Sequence, residues 1–533
     1  MKILVMDNQI IYPPESGAPL RIVNSFGRMP DDYEVTYLGV TGWMHRGNTK
    51  KKLSKNFTEE IMVLPKIFLN VNNFLTNVLG SIPAFDALCT TFRVLNRRFV
   101  RHMEQKIGES DILVSSHPWF FNYFKNRNDK LRVYDSHNCE YMLYRKFLKP
   151  GVFNHLLGRW IRRIEEQACS KSDIVLACSE ADKRHYVGQY GIDAGKVHVI
   201  PNSINTGGFS VVADSAKESA KKRLGIRGKT LLFVGVHYLP NIEAFDYIMK
   251  ELVPKLDHTF LIVGSIREAF FNSVDDELRK LEVKPAKDML GYGWHSLEKW
   301  GHEGFDVRWT KKECSFYVKG RATEITIHAR SRKYVTGTLL IRNRPVKKLN
   351  FFGLDFRKHT FSIPEHKGFW CTLRLHGTRK PLFSDTRDTG IAVRGISCNG
   401  NEISLASTIA PLMIPKNVRL FGHVNTKKLK EIYKASDIAI NPIFSGSGLN
   451  IKVLDYMAAG IPTITTPHGA RGIQAEDGRD FIVTDDLLQE IRRVSADPKL
   501  YRKLKKNGRR VVETEYDSRV ISKRIDGIFR GFV

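Results

Sequence analysis

Short apolar runs, each followed by a polar turn and a stretch of helical periodicity, recur through residues 1–206: KILVMD (2–7), YEVTYLG (33–39), DILVSS (111–116), LRVYDSH (131–137), DIVLACS (173–179) and KVHVIPN (196–202). Strands that are apolar on both faces and alternate with helices predict a parallel sheet covered on both sides. The polar stretch 207–230 reads as a linker. The pattern restarts with LLFVG (231–235) and HTFLIVGS (258–265), then resumes only at NVRLFG (417–422), DIAINP (437–442) and TITT (463–466). Between these pieces, about 303–410, helical periodicity gives way to short strand-like runs such as ECSFYVK, TEITIHA, GTLLIR, FWCTLRL and IAVRGISC. TEITIHA alternates polar and apolar, as a strand with one solvated face does. The expected fold class is therefore α/β: two Rossmann-like domains, the second interrupted by an all-β, jelly-roll-like sandwich. The expected boundaries are 1–206, 207–268 (linker and first part of the second domain), 269–413 (insert) and 414–533. Residues 67–82 place Ile67, Phe68, Val71, Phe74, Leu75, Val78, Leu79 and Ile82 on one helical face, which predicts a helix packed on the sheet.

Composition narrows the partners. The chain has 533 residues, 84 Lys and Arg against 56 Asp and Glu, and a formal charge of +28. Such a field favours anionic ligands: phosphorylated substrates, nucleic acid or an acidic membrane surface. No zinc-finger, basic-zipper or basic–aromatic RNA motif accompanies the charge, so no nucleic acid partner is expected. The seven cysteines are scattered and form no C-x-x-C pair, which predicts neither a zinc site nor a disulfide framework and suits a reducing cytosol. No signal peptide and no run of 18 apolar residues is present, so a cytoplasmic or peripheral protein is expected.

The densest chemical signal is FSGSGLNIKVLDYMAAGIPTITTPHGARG (444–472). Gly446 and Gly448 permit a tight turn after the strand DIAINP, and a helix starts near Leu449. Unpaired backbone N–H groups at such a turn suit a diphosphate. Lys452 adds a positive charge, and Asp455, three residues on and on the same side of the helix, can accept the hydroxyl protons of a ribose. His137 follows a buried strand, at the end of a parallel sheet where ligands collect. No metal site stands out, since Asp385-Thr386-Arg387-Asp388 falls within the insert. Basic groups and helix N-termini can neutralise a leaving diphosphate without magnesium, and no cofactor is expected.

This segment resembles the donor-site signature of glycosyltransferase family 4, retaining enzymes of the GT-B fold. It is most similar to the bacterial branch with the pattern G-x-G-x-x-x-K-V-L-E-A-x-A-x-G-x-P-V. The resemblance implies that Lys452 meets the phosphates and Asp455 the ribose, with Ser447 where the family has its first glutamate. PPESGAPLR (13–21) resembles the N-terminal glycine loop that approaches the donor phosphate through Ser16, Gly17 and Arg21. VYDSHNCE (133–140) resembles D-x-H-N-x-E and places His137 at the cleft. FVGVHYLPNIEAF (233–245) resembles F-x-G-x5-P-N-x-x-A and implies donor contacts at Gly235 and Asn241, alongside Gly446, Ser447, Gly448 and Leu449. In the insert, GYGWHSLEKW, VRWT and DTRDTGIAV are similar to marks of a β-sandwich module of surface-polysaccharide enzymes, with Trp294 and Trp309 as candidate glycan contacts. The resemblance implies transfer of a sugar from a nucleoside-diphosphate-sugar to a glycan or polyprenyl-diphosphate-linked acceptor, in O-antigen- or capsule-like synthesis at the inner membrane face. Ser447 and the large insert also leave open a non-catalytic glycan-binding or assembly protein on a degenerate GT-B scaffold.

Overall fold

The computed structural model describes all residues except 15–16, 42–46, 65–96, 146–151, 210, 212–213, 268, 271–283, 301–304, 377–389, 409–413, 447–448 and 533. The amphipathic stretch 67–82 and Asp385–Asp388 thus lie outside the described residues. The chain carries two Rossmann-like α/β domains and a large antiparallel β insert in the second. It divides into two compact units, Met1–Arg227 with Lys427–Val533, and Gly228–Thr426.

In the first unit, eight strands form one sheet: β1 (Lys2–Asp7), β2 (Glu34–Thr41), β3 (Thr49–Lys52), β4 (Phe57–Val63), β5 (Ile112–Ser116), β6 (Leu131–Asp135), β7 (Ile174–Ala177) and β8 (Val197–Val199). Their spatial order is β3-β4-β2-β1-β5-β6-β7-β8. All neighbours are parallel except β3, which pairs antiparallel with β4. The chain leaves β1 toward β2 and later returns on the other side with β5, so the order reverses between β1 and β5. In open α/β sheets that reversal opens a crevice at the strands' carboxyl ends.

Both faces of the sheet are covered, as runs of unbroken apolar residues require. Leu4 and Met6 pack with Phe99, Met103 and Ile107 of the helix Arg97–Glu109 and Ile161 and Ile164 of the helix Val152–Lys171. Ile3 and Val5 point the other way, into a core shared with Ile22 and Phe26 of the helix Gly17–Phe26 and Ile521, Ile525 and Phe529 of the helix Ser518–Arg530. The C-terminal helix therefore belongs to the N-terminal sheet. The Tyr33 hydroxyl donates to Asp526 at 2.9 Å and the Ser522 hydroxyl to the Ser25 carbonyl at 2.8 Å. The same unit holds three further parallel strands, β19 (Ile438–Asn441), β20 (Thr463–Thr465) and β21 (Ile482–Val483). Part of the stretch read as a linker is a helix, Asp214–Arg223, whose Lys217 and Lys221 bind the Asp437 carboxylate at 3.1 and 2.8 Å.

The second unit begins with β9 (Thr230–Val234) and β10 (Thr259–Val263), and ends with β18 (Val418–Phe421). β10 is parallel to both of the others, with Phe260 opposite Val418 and Leu231. The β insert thus occupies the crossover connection between the parallel strands β10 and β18. It comprises β11 (Met289–Leu290), β12 (Trp294–Trp300), β13 (Phe305–Thr310), β14 (Glu313–Ile341), β15 (Arg344–His376), β16 (Ala392–Cys398) and β17 (Asn401–Ile403). These strands form one antiparallel sheet in which the long β14 and β15 pair along two separate stretches. Residues 313–318 and 336–341 of β14 flank 371–376 of β15 in one, while 324–329 lies between 357–362 and β16 in the other. Phe316, Leu339 and Leu373 from the first stretch share a core with Ile325, Ile327, Val393 and Ile396 from the second. The insert's two ends meet where the Leu290 N–H donates to the Ser407 carbonyl at 2.8 Å.

Candidate functional site

The carboxyl ends of β1, β5 and β6 bring Asp7, His117, Asp135 and His137 together. His117 sits just beyond β5 with φ 68°, a left-handed conformation that side-chain-bearing residues adopt at a cost. Its Nδ1 lies 3.1 Å from Asp7 Oδ1 and its Nε2 lies 3.8 Å from Glu140 Oε1. The His117 and His137 rings lie 4.2 Å apart, tilted by 42°. His137 Nε2 is 3.2 Å from Asp135 Oδ2, which places the imidazole proton there and leaves the buried Nδ1 without a hydrogen-bond partner among the described residues. Burial, then the neighbouring His117 charge, push the His137 pKa down to about 4, so the ring is neutral at neutral pH. Burial opposes ionisation of Asp7, but the charge and hydrogen bond of His117 outweigh it and hold its carboxyl below the usual range.

Supports behind these groups are themselves polar and buried. Glu165 accepts the backbone N–H groups of Glu140 and Tyr141 at 2.6 and 3.2 Å and the Tyr190 hydroxyl at 2.7 Å. That fixes the first turn of the short helix Glu140–Arg145, and with it the Glu140 carboxylate facing His117. Glu59 accepts the N–H groups of Ile11 and Tyr12 at 2.9 and 3.1 Å, tying down the loop that leads to Gly17.

On the C-terminal side of the same unit, β19 ends at Asn441 and the chain passes through Gly446, at φ 107°, to the helix Ile451–Ala458. This helix has no side-chain cap; Asn450 turns its amide to the Gly469 carbonyl at 3.1 Å instead. Val453, Leu454, Tyr456 and Met457 are buried, whereas Lys452 and Asp455 share the flank that keeps some solvent contact. Desolvation moves both: the Lys452 pKa falls to about 7 and that of Asp455 rises to about 7. Arg471 reaches the Gly446 carbonyl at 3.3 Å, and its charge partly offsets the burial that pushes the Asp182 pKa up. A Cβ on Gly17 would lie 4.0 Å from Ile451 Cδ1 and, among the described residues, meet nothing closer. The first residues of the helices Gly17–Phe26 and Ile451–Ala458 are thus neighbours, and a helix N-terminus favours negative charge.

The structure therefore brings Gly17, Gly446, Lys452 and Asp455 to one locality, with His137 at the adjoining sheet end. Ser16, Ser447 and Gly448 lie outside the described residues. Leu449 packs on the apolar cluster under the helix Ile451–Ala458. Arg21 lies in the interior. Its guanidinium is buried and donates to Asp135 Oδ1 at 2.7 and 3.0 Å, to the Ile200 carbonyl at 2.8 Å and to Asn202 at 3.2 Å, so it serves as an internal strut between these elements. Gly235 and Asn241 belong to the second unit. The Asn241 amide donates to the Val236 carbonyl at 2.9 Å, and a Cβ on Gly264 would strike the Gly235 carbonyl at 2.3 Å, so both residues shape the loop after β9. Trp294 is buried in the insert core and its indole N–H donates to the Ser315 carbonyl at 2.7 Å. Trp309 is partly buried on β13. Sequence reasoning missed His117 and Arg471. The strand-end argument that singled out His137 applies equally to His117 after DILVSS, and Arg471 closes the very segment that carries Lys452.

Residues 75–207 match the model of Glycosyltransferase Family 4, and residues 396–497 match that of Glycosyl transferases group 1. No curated protein sequence matches the chain. Among solved structures, the chain is similar to sucrose-phosphate synthase from Thermosynechococcus elongatus, at 12% identity and a TM-score of 0.53 over 100% of this chain and 99% of that one. It is also similar to HepE of Anabaena in complex with UDP, at 12% identity and a TM-score of 0.52 over 100% of both chains. It is similar, too, to trehalose-6-phosphate from E. coli bound with UDP-2-fluoro glucose, at 12% identity and a TM-score of 0.53 over 99% of this chain and 98% of that one. At that identity the likeness establishes the fold, which is GT-B.

Proposed function

We propose that this GT-B protein transfers a sugar from a nucleoside-diphosphate-sugar to a glycan or polyprenyl-diphosphate-linked acceptor, in surface-polysaccharide synthesis at the inner membrane face. The observation that carries the reading is the pair of helix N-termini meeting at Gly17 and Ile451 with Lys452 and Asp455 on the adjoining flank. Dipole ends and a lysine stabilise the negative charge that collects on the diphosphate as the glycosidic bond to it breaks. Arg471 supplies a second cation to that space, in the role the resemblance implies for Arg21. Asp455 accepts from the ribose hydroxyls. His137, neutral and with Nδ1 an acceptor unused among the described residues, and His117, held between Asp7 and Glu140, orient sugar hydroxyls at the sheet end. Retention of anomeric configuration follows from the family-4 resemblance.

Thermal shift across UDP-, GDP-, CDP- and dTDP-sugars, paired with release of radiolabelled sugar, tests the reading. One nucleotide series should raise the melting temperature and its sugar should be released slowly to water. No shift and no release across the whole panel would overturn sugar transfer in favour of a binding or assembly role.

A further inference from the structure

The sequence 305–376 in the insert carries sixteen Lys and Arg against five Asp and Glu. Arg308 is spent internally, on the Leu405 and His295 carbonyls, but a group of the others gathers around one hairpin. Between β14 and β15, Arg342 and Asn343 have φ 49° and 65°, the signature of a two-residue hairpin turn. Arg342, Arg344, Lys347 and Lys348 around that tip are all exposed, and among the described residues none of them pairs with a carboxylate. Behind the tip the register sets Lys348 beside Thr338 and Thr338 beside Arg374. Leu339, Leu349, Leu373 and Leu375, at alternating positions, are buried in the core, so the Lys348 and Arg374 row faces solvent. At the far end of this face two aromatic residues stand open: Tyr334 is 61% and Phe352 is 63% exposed, next to the Val335–Phe351 pair. The acids nearby are Glu313, which holds Arg374 at 2.7 Å, and the exposed Asp355.

We infer that this face docks the protein on an anionic phospholipid bilayer. Exposed aromatic rings settle at the headgroup boundary, while Lys and Arg reach along their apolar stems to the phosphates. A projecting hairpin and a solvent-facing sheet suit a planar partner, whereas a single strand of nucleic acid is held in a basic groove that tracks its backbone. The inference rests on the transfer reading only in that a polyprenyl-linked acceptor would lie in the same bilayer. The experiment is run without donor or acceptor, so that either can fail alone.

The full chain is sedimented with phosphatidylcholine vesicles, with and without one third phosphatidylglycerol, and sugar release is followed in separate samples that contain the nucleotide-sugar and no vesicles. Wild type should partition at least about tenfold more strongly onto the anionic vesicles, and lose that preference as salt shortens the screening length. Lys347→Glu with Lys348→Glu should abolish the preference and Tyr334→Ser with Phe352→Ser should weaken partition by about tenfold. Lys347→Arg with Lys348→Arg should retain it, and all three double variants should keep the wild-type melting temperature. Wild-type partition of either disruptive variant, absence of any preference for anionic vesicles, or tighter binding to single-stranded RNA than to those vesicles would overturn the inference.

Discussion

Lys452 and Asp455 owe their displaced pKa values to burial and not to each other, and this makes the proposed donor site sensitive to pH near neutrality. In the ligand-free protein Lys452 is protonated below about pH 7 and Asp455 ionised above about pH 7. A diphosphate requires the first and ribose hydroxyls favour the second, so donor affinity should peak near neutrality and fall on either side. Calorimetric titration across that range checks this: Lys452→Ala should flatten the alkaline limb and Asp455→Asn the acid limb, and a pH-independent wild type would remove both assignments. At neutral pH Lys452→Ala should weaken donor binding about ten- to hundredfold, the scale of a charge-assisted phosphate contact. The same lysine costs stability. Its folded pKa lies below its unfolded value, so the cost is full below about pH 7 and fades as pH climbs toward the unfolded value. Lys452→Met should therefore raise the stability of the ligand-free protein by about 1–3 kcal/mol after allowance for solvent screening. The gain should be larger at acid than at alkaline pH, as chemical denaturation at both would show.

Two helix starts and one strained turn position the site, and they differ in what a substitution would reveal. Gly17 opens the helix Gly17–Phe26, and a side-chain carbon added to it would have no neighbour nearer than 4.0 Å among the described residues, so the fold does not need glycine there. Gly17→Val should leave the melting temperature within a degree or so of wild type, as exposed substitutions usually do. It should nevertheless weaken diphosphate binding by about tenfold or more, because the branched side chain would crowd the helix start beside Ile451, where the proposed diphosphate binds. A loss of folding, or unchanged affinity in a folded variant, would move the diphosphate elsewhere. The helix starts were legible in the sequence, since glycine turns after apolar runs announce them. The left-handed His117 was not, because only the bonds from the Asp7 and Asp135 strand ends reveal why a histidine is held in a conformation glycine would adopt more cheaply.

At the scale of the molecule, the insert replaces a crossover and not a hairpin loop. Flanking strands that are sheet neighbours suggest, on sequence alone, that a short Gly/Ser bridge could replace residues of about 270–412. β10 and β18 are neighbours, but parallel ones, with Phe260 beside Val418 and Val263 beside Phe421. The chain leaving Val263 must therefore travel back along the sheet before it can enter Val418, which takes about a dozen residues or more. With a linker that long, excision should yield a soluble, cooperatively melting protein that still binds its nucleotide sugar, because the insert has its own core and its ends meet at Leu290 and Ser407. Gel filtration, thermal melts and nucleotide-sugar shifts on the excised protein check this. Retained folding with lost donor binding would show that the insert contributes to the donor site, and a linker too short to cross should unfold the second domain.

Periodicity and local chemistry by themselves determined the two Rossmann-like halves, the β-rich interruption and the 446–455 segment, because apolar runs, alternation and glycine turns are properties of neighbours along the chain. Tertiary structure alone decided which charges are available. Arg21 and Lys452 look alike in sequence, yet one is consumed by Asp135 and two further acceptors while the other keeps some solvent contact on its helix flank. It likewise decided that Trp294 fills a core, that the helix Ser518–Arg530 closes the sheet begun by β1, and that His117 joins Asp7. Each of these depends on contacts between residues far apart in the chain, and a buried ion pair or a shared core leaves no mark on the spacing of either partner.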